Sequence, residues 1–352
     1  MFLFDRSFES LYASALSDIA EAPAGQFRLH VIQTVSTMKT HTINGESSTT
    51  QVTALPLTAG GRKAAAFTLL ELLVVLCVLV LLVSIAIPGQ ARARSGGQAL
   101  QCLNNLRQLM GANLLYCADN RDNLPMVFHG GFVPSAGDPN KPWVTGWLDW
   151  STSTDNTNAT YLLDPRYASL AGYFGRDKRI YKCPADVYVS TSQRALGWEE
   201  RVRSVSANVF VGKGNAWSTA AGGPSGPNNL TIYKGVAKAA DLLIPGPART
   251  WVYIDEHPDS MNDGGIFPPD ASVNMPDAPA TYHNGAAGVA MADGHCEIHR
   301  WTGQRMNKPR SQSGLAGVGF SSYNNFAMVR GDPDLFWLSY GSPRWSTRTV
   351  AN

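Results

Sequence analysis

Cysteine and charge are both scarce in this sequence. The 352 residues include five cysteines, no two of which form a CxxC pair, so the usual support for zinc-ribbon and thioredoxin-like proteins is missing. Only 16% of the residues are charged and the formal net charge is +2, which gives neither a broad basic surface nor an acidic tail. Nucleic acid is therefore not expected as a partner.

Common catalytic motifs are missing as well. The sequence contains no GxSxG, no HExxH and no glycine-rich loop of the kind that holds phosphates. With 44% hydrophobic residues, the chain is long enough to bury a sizeable core. These features favour a folded protein that is not an enzyme.

The sequence does contain one long apolar run. From Phe67 to Ile87 every residue is apolar except Thr68, Glu71 and Ser84. At 1.5 Å per residue the run spans about 30 Å as a helix, the thickness of a bilayer core. The segment Gly-Gly-Arg-Lys at 60–63 precedes it, which favours a cytoplasmic N-terminus. The run predicts a single membrane crossing.

The chain before this run has no helical or strand period, so residues 1–66 are predicted to be a disordered leader. A start at Met38 would give a leader of more usual length and would leave residues 1–37 untranslated. Three further parts follow in order: a membrane-spanning half-helix (67–88), an amphipathic half-helix (89–118) and a globular α+β head (119–352).

The amphipathic half and the head have patterns that fit each other. One apolar stripe recurs at spacings of three and four, formed by Leu100, Leu103, Leu106, Met110, Leu114 and Cys117. Four candidate strands follow, at 205–211, 250–254, 288–291 and 296–301, and Asp293-Gly294 between the last two is a strong hairpin signal. The predicted fold class is α+β, with a long N-terminal helix packed on an antiparallel β-sheet head.

The stretch AFTLLELLVV at residues 66–75 resembles the cleavage and methylation segment of type IV prepilins and type II secretion pseudopilins. The resemblance implies that a prepilin peptidase cuts between Ala66 and Phe67, that Phe67 is then methylated, and that Glu71 and Pro88 occupy the fifth and twenty-second mature positions. Ala66 departs from the family, which normally has glycine there. The implied protein has a pilin-like fold, lies in the inner membrane with its head in the periplasm or at the cell surface, and assembles with other pilin-like subunits.

Glu71 gains a purpose from this resemblance. A lone carboxylate in an apolar run is costly, so it is usually paired or functional. In pilin-like fibres the corresponding Glu is thought to meet the new N-terminal ammonium of a neighbouring subunit, an attraction that is strong where water is excluded. The alternative is an ordinary membrane anchor whose Glu71 lies at the interface.

The rest of the chain resembles prepilin-like proteins with an H-X9-DG domain, which are abundant in planctomycete and verrucomicrobial bacteria. The matching motifs begin at Cys102-Leu-Asn-Asn and Lys182-Cys-Pro-Ala-Asp186 and end with His283 and Asp293-Gly294. The co-occurrence of the first two motifs favours a disulfide between Cys102 and Cys183, which would staple the helix to the head. Two buried free thiols are the alternative.

Two further groups of residues in the head have side chains suited to metal binding or acid/base chemistry. Oxygen ligands at Asp255, Asp259 and Asp263 suit Ca²⁺, although the spacing is not that of an EF-hand and acidic loops are usually solvated. His283 with Asp293 would fit a metal or acid/base pair. A structural role is favoured, in which the His283 ring bonds the turn at Asp293 and the Asp293 carboxylate caps the hairpin.

Aromatic residues are concentrated in a region rich in glycine, asparagine and threonine, where they suit stacking on sugar rings: Trp143, Trp147, Trp150, Tyr161 and Tyr173. Two functions therefore follow from the sequence. The first is a structural subunit, cleaved before Phe67 and assembled into a pilus-like or pseudopilus fibre. The alternative is a membrane-anchored surface protein that does not polymerise and binds a glycan or protein ligand.

Overall fold

The structure is a computed structural model, and it describes residues 68–128, 130, 133–135, 138–214, 232–269, 274–303, 306, 326–327 and 329–344. Within these ranges, residues 83–94, 274 and 326–327 are described by their backbone alone. The predicted leader and the predicted cleavage site between Ala66 and Phe67 lie outside the described residues.

Helix α1 spans Leu69–Asp119 and includes Pro88. It begins with a capping box, because the Thr68 hydroxyl accepts the N–H of Glu71 at 3.2 Å and the Glu71 carboxylate accepts the N–H of Thr68 at 2.9 Å. It ends at Asp119 with Asn120 as its C-cap, and the next residue, Arg121, has a φ of 56°. This backbone conformation is disfavoured in a continuing helix, so the chain turns into the head.

A five-stranded sheet forms the centre of the head, with the strand order β3-β1-β2-β5-β6. The strands are β1 (Val205–Asn208), β2 (Trp251–Asp255), β3 (Gly265–Ile266), β5 (Ala286–Met291) and β6 (Cys296–Arg300). Strands β4 (Asn274–Met275) and β7 (Phe326–Ala327) form a separate antiparallel pair. Every residue of β1, β2 and β5 is buried, so both faces of the central strands are covered.

Short helices connect and flank the sheet. The α-helices are α2 (Thr160–Leu163), α3 (Thr191–Ala195) and α4 (Pro333–Tyr340), and the 3₁₀ helices span Thr154–Asn156, Lys178–Tyr181, Ala239–Asp241 and Pro247–Arg249. The predicted hairpin is confirmed. β5 pairs antiparallel with β6, with Ala290 opposite Cys296, and Gly294 in the turn has a φ of +98° that suits glycine.

The C-terminal half of α1 packs on the sheet through β5 and β6 and contacts the 3₁₀ helix Lys178–Tyr181. Its buried residues include Cys102, Leu106, Leu109, Met110, Asn113 and Cys117. The predicted stripe was partly wrong, because Leu100 is 69% exposed and Leu114 is 42% exposed. The buried face of the helix includes Asn113 instead, whose amide donates to the Tyr253 hydroxyl at 2.7 Å. A polar side chain therefore lies on the face that packs on the sheet.

Two features of the predicted fold were wrong. The sheet is mixed rather than antiparallel. Strand β1 pairs antiparallel with β2 on one side and parallel with β3 on the other. The prediction also gave the N-terminal helix a membrane-spanning half at 67–88. Across the described ranges, no helix contains a stretch that is long and apolar enough to cross a membrane. The same finding contradicts the predicted single-pass location in the inner membrane.

Candidate metal centre

Four side chains from four separate segments meet beneath α1. Cys102 comes from α1, Cys183 from the loop after the 3₁₀ helix Lys178–Tyr181, Asp255 from the end of β2, and His283 from the turn before β5. Their potential ligand atoms all lie within 4.8 Å of one another, and all four residues are buried.

Two short contacts within this cluster each join a cysteine sulfur to an oxygen or a nitrogen atom. The Cys102 thiol donates to Asp255 Oδ2 at 3.1 Å, and Cys183 Sγ lies 3.2 Å from His283 Nε2. His283 Nε2 is 3.9 Å from Asp255 Oδ2, which closes the group. The four ligand atoms therefore surround one small volume.

Hydrogen bonds to the backbone hold the two cysteine-bearing segments together. The Asn105 amide, one turn along α1 from Cys102, donates to the carbonyls of Arg179 at 2.8 Å and Lys182 at 2.9 Å. The N–H of Cys183 donates to the Ser204 hydroxyl at 2.7 Å. These bonds fix the loop that carries Cys183 against both α1 and the segment that leads into β1.

The other two ligands are fixed by the sheet. Asp255 pairs with Val205 in the β1–β2 register, and its Oδ2 accepts the N–H of Gly288 at 3.0 Å. His283 is placed by a tight turn in which its N–H donates to the Ala286 carbonyl at 3.2 Å. Asn284 and Gly285 supply this turn with φ values of 56° and 82°.

Because Gly288 has no side chain, it makes room for the cluster. A Cβ at this position would lie 2.6 Å from Cys102 Sγ, 2.8 Å from Leu106 Cδ1 and 2.9 Å from Asp255 Oδ2. Such contacts are far inside van der Waals distance, so only glycine allows α1 and the cluster to approach β5. No pattern in the sequence had indicated a role for this glycine.

We expect Gly288→Ala to lower the free energy of unfolding by about 1–3 kcal/mol, because the added methyl group overpacks the contact between α1 and β5. Gly111→Ala is the matched control, since a Cβ at Gly111 in α1 has nothing within 4 Å. That change should raise stability by about 0.5–1 kcal/mol through helix propensity. Urea unfolding monitored by circular dichroism would measure both. Equal midpoints for the two variants would contradict the prediction.

Burial disfavours charge on these side chains. It raises the pKa of Asp255 to about 7, although hydrogen bonds from Cys102 and Gly288 act in the opposite direction. The pKa of Cys102 is raised well above its usual value, first by its hydrogen bond with Cys183 and then by burial. Burial also raises the pKa of Cys183 and lowers that of His283.

Two atoms of the cluster have no hydrogen-bond partner among the described residues. They are Asp255 Oδ1 and His283 Nδ1, both buried. A buried polar atom without a partner is uncommon and calls for a ligand or an ordered water. With two sulfurs, one imidazole and one carboxylate, this buried cluster can hold a metal ion.

The same burial argues against nucleophilic catalysis. Cys183, His283 and Asp255 have the residue types of a nucleophile, a base and an orienting carboxylate, but Cys183 and Asp255 are 0% exposed and His283 is 5% exposed. A substrate would have to open the head to reach Cys183. The arrangement suits a closed site.

The predicted disulfide between Cys102 and Cys183 is not formed in the structure, where both residues are free thiols. Their sulfurs instead share the cluster with Asp255 and His283. All four residues were candidates from the sequence, but they belonged to three separate hypotheses. Because they lie far apart in the chain, no local spacing connects them.

The predicted calcium site does not form as proposed. Within the described part of the chain, the one group of potential ligands contains Asp255 but neither Asp259 nor Asp263. Asp259 Oδ1 accepts from Trp150 Nε1 at 3.1 Å. Asp263 accepts the N–H groups of Gly130 at 2.7 Å and Gly265 at 2.8 Å. These carboxylates serve separate structural bonds.

The H-X9-DG motif is divided between two places. His283 belongs to the cluster, whereas Asp293 and Gly294 form the β5–β6 turn at the other end of β5. The predicted bond between His283 and Asp293 was therefore wrong. The predicted role of Asp293 is closer to the structure, because its Oδ1 accepts the N–H of His295 at 3.1 Å within the turn.

The aromatic residues give little support to a sugar-binding surface. Trp143 is fully buried, with its ring centre 4.8 Å from that of Tyr253 and 5.8 Å from that of Tyr181. Trp150 is covered by Arg201, whose guanidinium lies 4.0 Å from the ring centre. These rings stabilise the head.

Comparison of the chain with protein-family models, with curated proteins and with solved structures finds no match. The similarity to prepilin-like proteins therefore depends on the sequence motifs, and the metal centre depends on the geometry described above.

Proposed function

We propose that this chain is a structural, non-enzymatic subunit that is cleaved before Phe67 and assembles with other pilin-like subunits into a pilus-like or pseudopilus fibre. The observation that carries the proposal is the N-terminal part of α1. From Leu69 to Leu82 this helix is apolar except for Glu71, and every residue in the stretch is exposed. We refer to residues 69–82 as the apolar segment.

The apolar segment is hydrophobic around its whole circumference. Residues on opposite sides of the helix are similarly exposed: Leu72 is 54% exposed, Val74 52% and Leu76 53%. A helix that is apolar on all sides gains free energy only when it is surrounded. Copies of the same segment, packed side by side in a fibre, would surround it.

Glu71 supports an ordered arrangement of such copies. Its hydrogen bonds with the backbone and hydroxyl of Thr68 lower the pKa of its carboxyl, so the side chain stays charged at neutral pH. Cleavage before Phe67 would create an ammonium group at the start of the same helix. An ion pair between that ammonium and Glu71 of a neighbouring subunit would set the register between subunits.

Two variants separate the assembly role of Glu71 from its capping role. Glutamine also completes a capping box, so Glu71→Gln keeps the helix start but removes the charge. We expect both Glu71→Gln and Glu71→Val to abolish incorporation into fibres while the head stays folded. The measurement is sedimentation and electron microscopy of fibres from cells that also express a prepilin peptidase.

Leu76→Val is the control, because it changes the apolar segment without changing its charge. If Glu71→Gln assembles as well as the unaltered chain, the carboxylate serves only the helix cap and the ion-pair argument fails. N-terminal sequencing of the same material should begin at N-methylated Phe67. An intact leader in the assembled material would contradict the proposed cleavage.

A further inference from the structure

We propose that Cys102, Cys183, Asp255 and His283 bind one Zn²⁺ ion in a closed, four-coordinate site that ties α1 to the head. This inference does not depend on fibre assembly, since every ligand comes from one chain.

Three distances within the cluster are close to those of a tetrahedral zinc site, and all the ligand atoms lie within 4.8 Å of one another. Zinc binds sulfur at about 2.3 Å and nitrogen or oxygen at about 2.0–2.2 Å, so the edges of the tetrahedron measure roughly 3.3–3.8 Å. The sulfur–oxygen contact between Cys102 and Asp255 is 3.1 Å, and the sulfur–nitrogen contact between Cys183 and His283 is 3.2 Å. The nitrogen–oxygen distance between His283 and Asp255 is 3.9 Å. Small adjustments of side chains would bring all four atoms onto one ion.

The donor set selects among metals. Ca²⁺ takes six to eight oxygen ligands and Mg²⁺ prefers six, whereas this cluster offers one carboxylate. Two thiolates with an imidazole and a carboxylate form the mixed set that zinc accepts in tetrahedral geometry. Zinc is also redox-inactive, so a buried zinc ion needs no contact with an electron donor or acceptor.

The charge of Zn²⁺ would offset most of the charge of its ligands. Coordination requires both thiols to lose their protons to the solvent, which gives a ligand charge of −3 with ionised Asp255 and neutral His283. One Zn²⁺ reduces the total to −1. Without the ion, burial disfavours charge on the same side chains.

The position of the site indicates a structural role. Cys102 is the one ligand from α1, and the other three come from the head. All four are buried, so the ion would have no open position for water or substrate. Zinc would therefore fix the amphipathic half of α1 on the sheet, in addition to the apolar contacts made by Leu106 and Leu109.

The first test is the zinc content of the full chain, purified with a reductant and a detergent that covers the apolar segment. We expect inductively coupled plasma mass spectrometry to find about one Zn²⁺ per chain. Cys102→Ser, Cys183→Ser and His283→Gln should each weaken zinc binding by about 100-fold or more, because the loss of an outer-shell partner already costs about 10–100-fold.

Cys117→Ser provides a matched control. Cys117 is also a buried cysteine of α1, but its thiol lies 3.6 Å from Asn113 Oδ1 and takes no part in the cluster. This variant should keep the full zinc content. Loss of zinc from Cys117→Ser as severe as that from Cys102→Ser would overturn the assignment of the ligands.

A second measurement needs no variant to fold. Co²⁺ exchanged into the unaltered chain should give the intense visible bands of tetrahedral cobalt and the near-ultraviolet bands of thiolate-to-cobalt charge transfer. Removal of the metal with a chelator should lower the thermal midpoint, and Zn²⁺ but not Mg²⁺ should restore it. Any one of three results would overturn the proposal: no retained zinc, cobalt spectra without thiolate bands, or a peptide linked through Cys102 and Cys183 in chain purified with reductant.

Zinc content and fibre assembly are read out separately. Normal assembly of Glu71→Gln, which would contradict the ion-pair argument, leaves the zinc measurement unchanged, and absence of zinc leaves the fibre assay unchanged. The two proposals therefore fail independently.

Discussion

Replacement of Trp143 by alanine is expected to lower the free energy of unfolding by about 3–5 kcal/mol. Trp143 is fully buried between Tyr181 and Tyr253, and its Nε1 donates to the Gly264 carbonyl at 2.8 Å. Alanine would leave a cavity beside β2 and a buried carbonyl without its donor. Urea unfolding followed by far-ultraviolet circular dichroism measures the loss without relying on tryptophan fluorescence.

Trp198→Ala is the control for this prediction, because Trp198 is only partly buried. Trp143→Phe should fall between the two, since it keeps a ring in the core but removes the hydrogen bond to Gly264. If Trp143→Ala unfolds at the same urea concentration as Trp198→Ala, the ring at position 143 does not organise the core.

Replacement of Arg203 by methionine should also lower the free energy of unfolding by about 3–5 kcal/mol, the usual cost of removing one member of a buried charge group. Arg203 is fully buried, and its guanidinium donates to the carbonyls of Val205 at 3.2 Å and Asn262 at 3.1 Å. Burial lowers its pKa to about 10, while Glu256 and Asp263 act to raise it. It therefore remains charged at neutral pH. Burial raises the pKa of the neighbouring Glu256 to about 8, although Arg203 acts to lower it.

The role of charge can be separated from the loss of packing. The double variant Arg203→Met with Glu256→Gln removes the acidic neighbour together with the arginine, so it should recover part of the lost stability. Arg179→Met is the surface control: Arg179 pairs with Asp177 in solvent, and its replacement should leave the urea midpoint unchanged. A double variant that is no more stable than Arg203→Met would show that Glu256 does not depend on the arginine.

The two proposals concern different parts of one helix. The apolar segment at 69–82 would contact other subunits, and Cys102 further along α1 would anchor the same helix to its own head through zinc. In a fibre, force applied along α1 would reach the head through this junction. The metal site would then stabilise the junction at the point where the helix first meets the sheet.

The local elements of the head could be predicted because their signals are local. The apolar bursts at 250–254 and 296–301 correspond to β2 and β6, and Asp293-Gly294 forms the hairpin turn. Alternation of side chains and glycine at positive φ depend only on neighbouring residues. The parallel pairing of β3 with β1 depends on the path of the chain between them and has no such signal.

Proximity in the sequence misled the prediction at the H-X9-DG motif. His283 and Asp293 are near in the chain, but β5 extends between them, and the five steps of about 3.3 Å along this strand separate its ends by roughly 17 Å. Proximity in the sequence was also misleading for Asp259 and Asp263. Their carboxylates point to different backbone and side-chain donors although the residues are close in sequence.

The apolar run around Glu71, the main strands, the hairpin and the residues that carry chemistry could all be identified from the sequence. The grouping of Cys102, Cys183, Asp255 and His283, and the room that Gly288 leaves for it, could not. Helical and strand periods are set by the backbone within a few residues, whereas a metal centre requires atoms from distant segments to meet within a few ångströms, which depends on how α1 packs on the sheet.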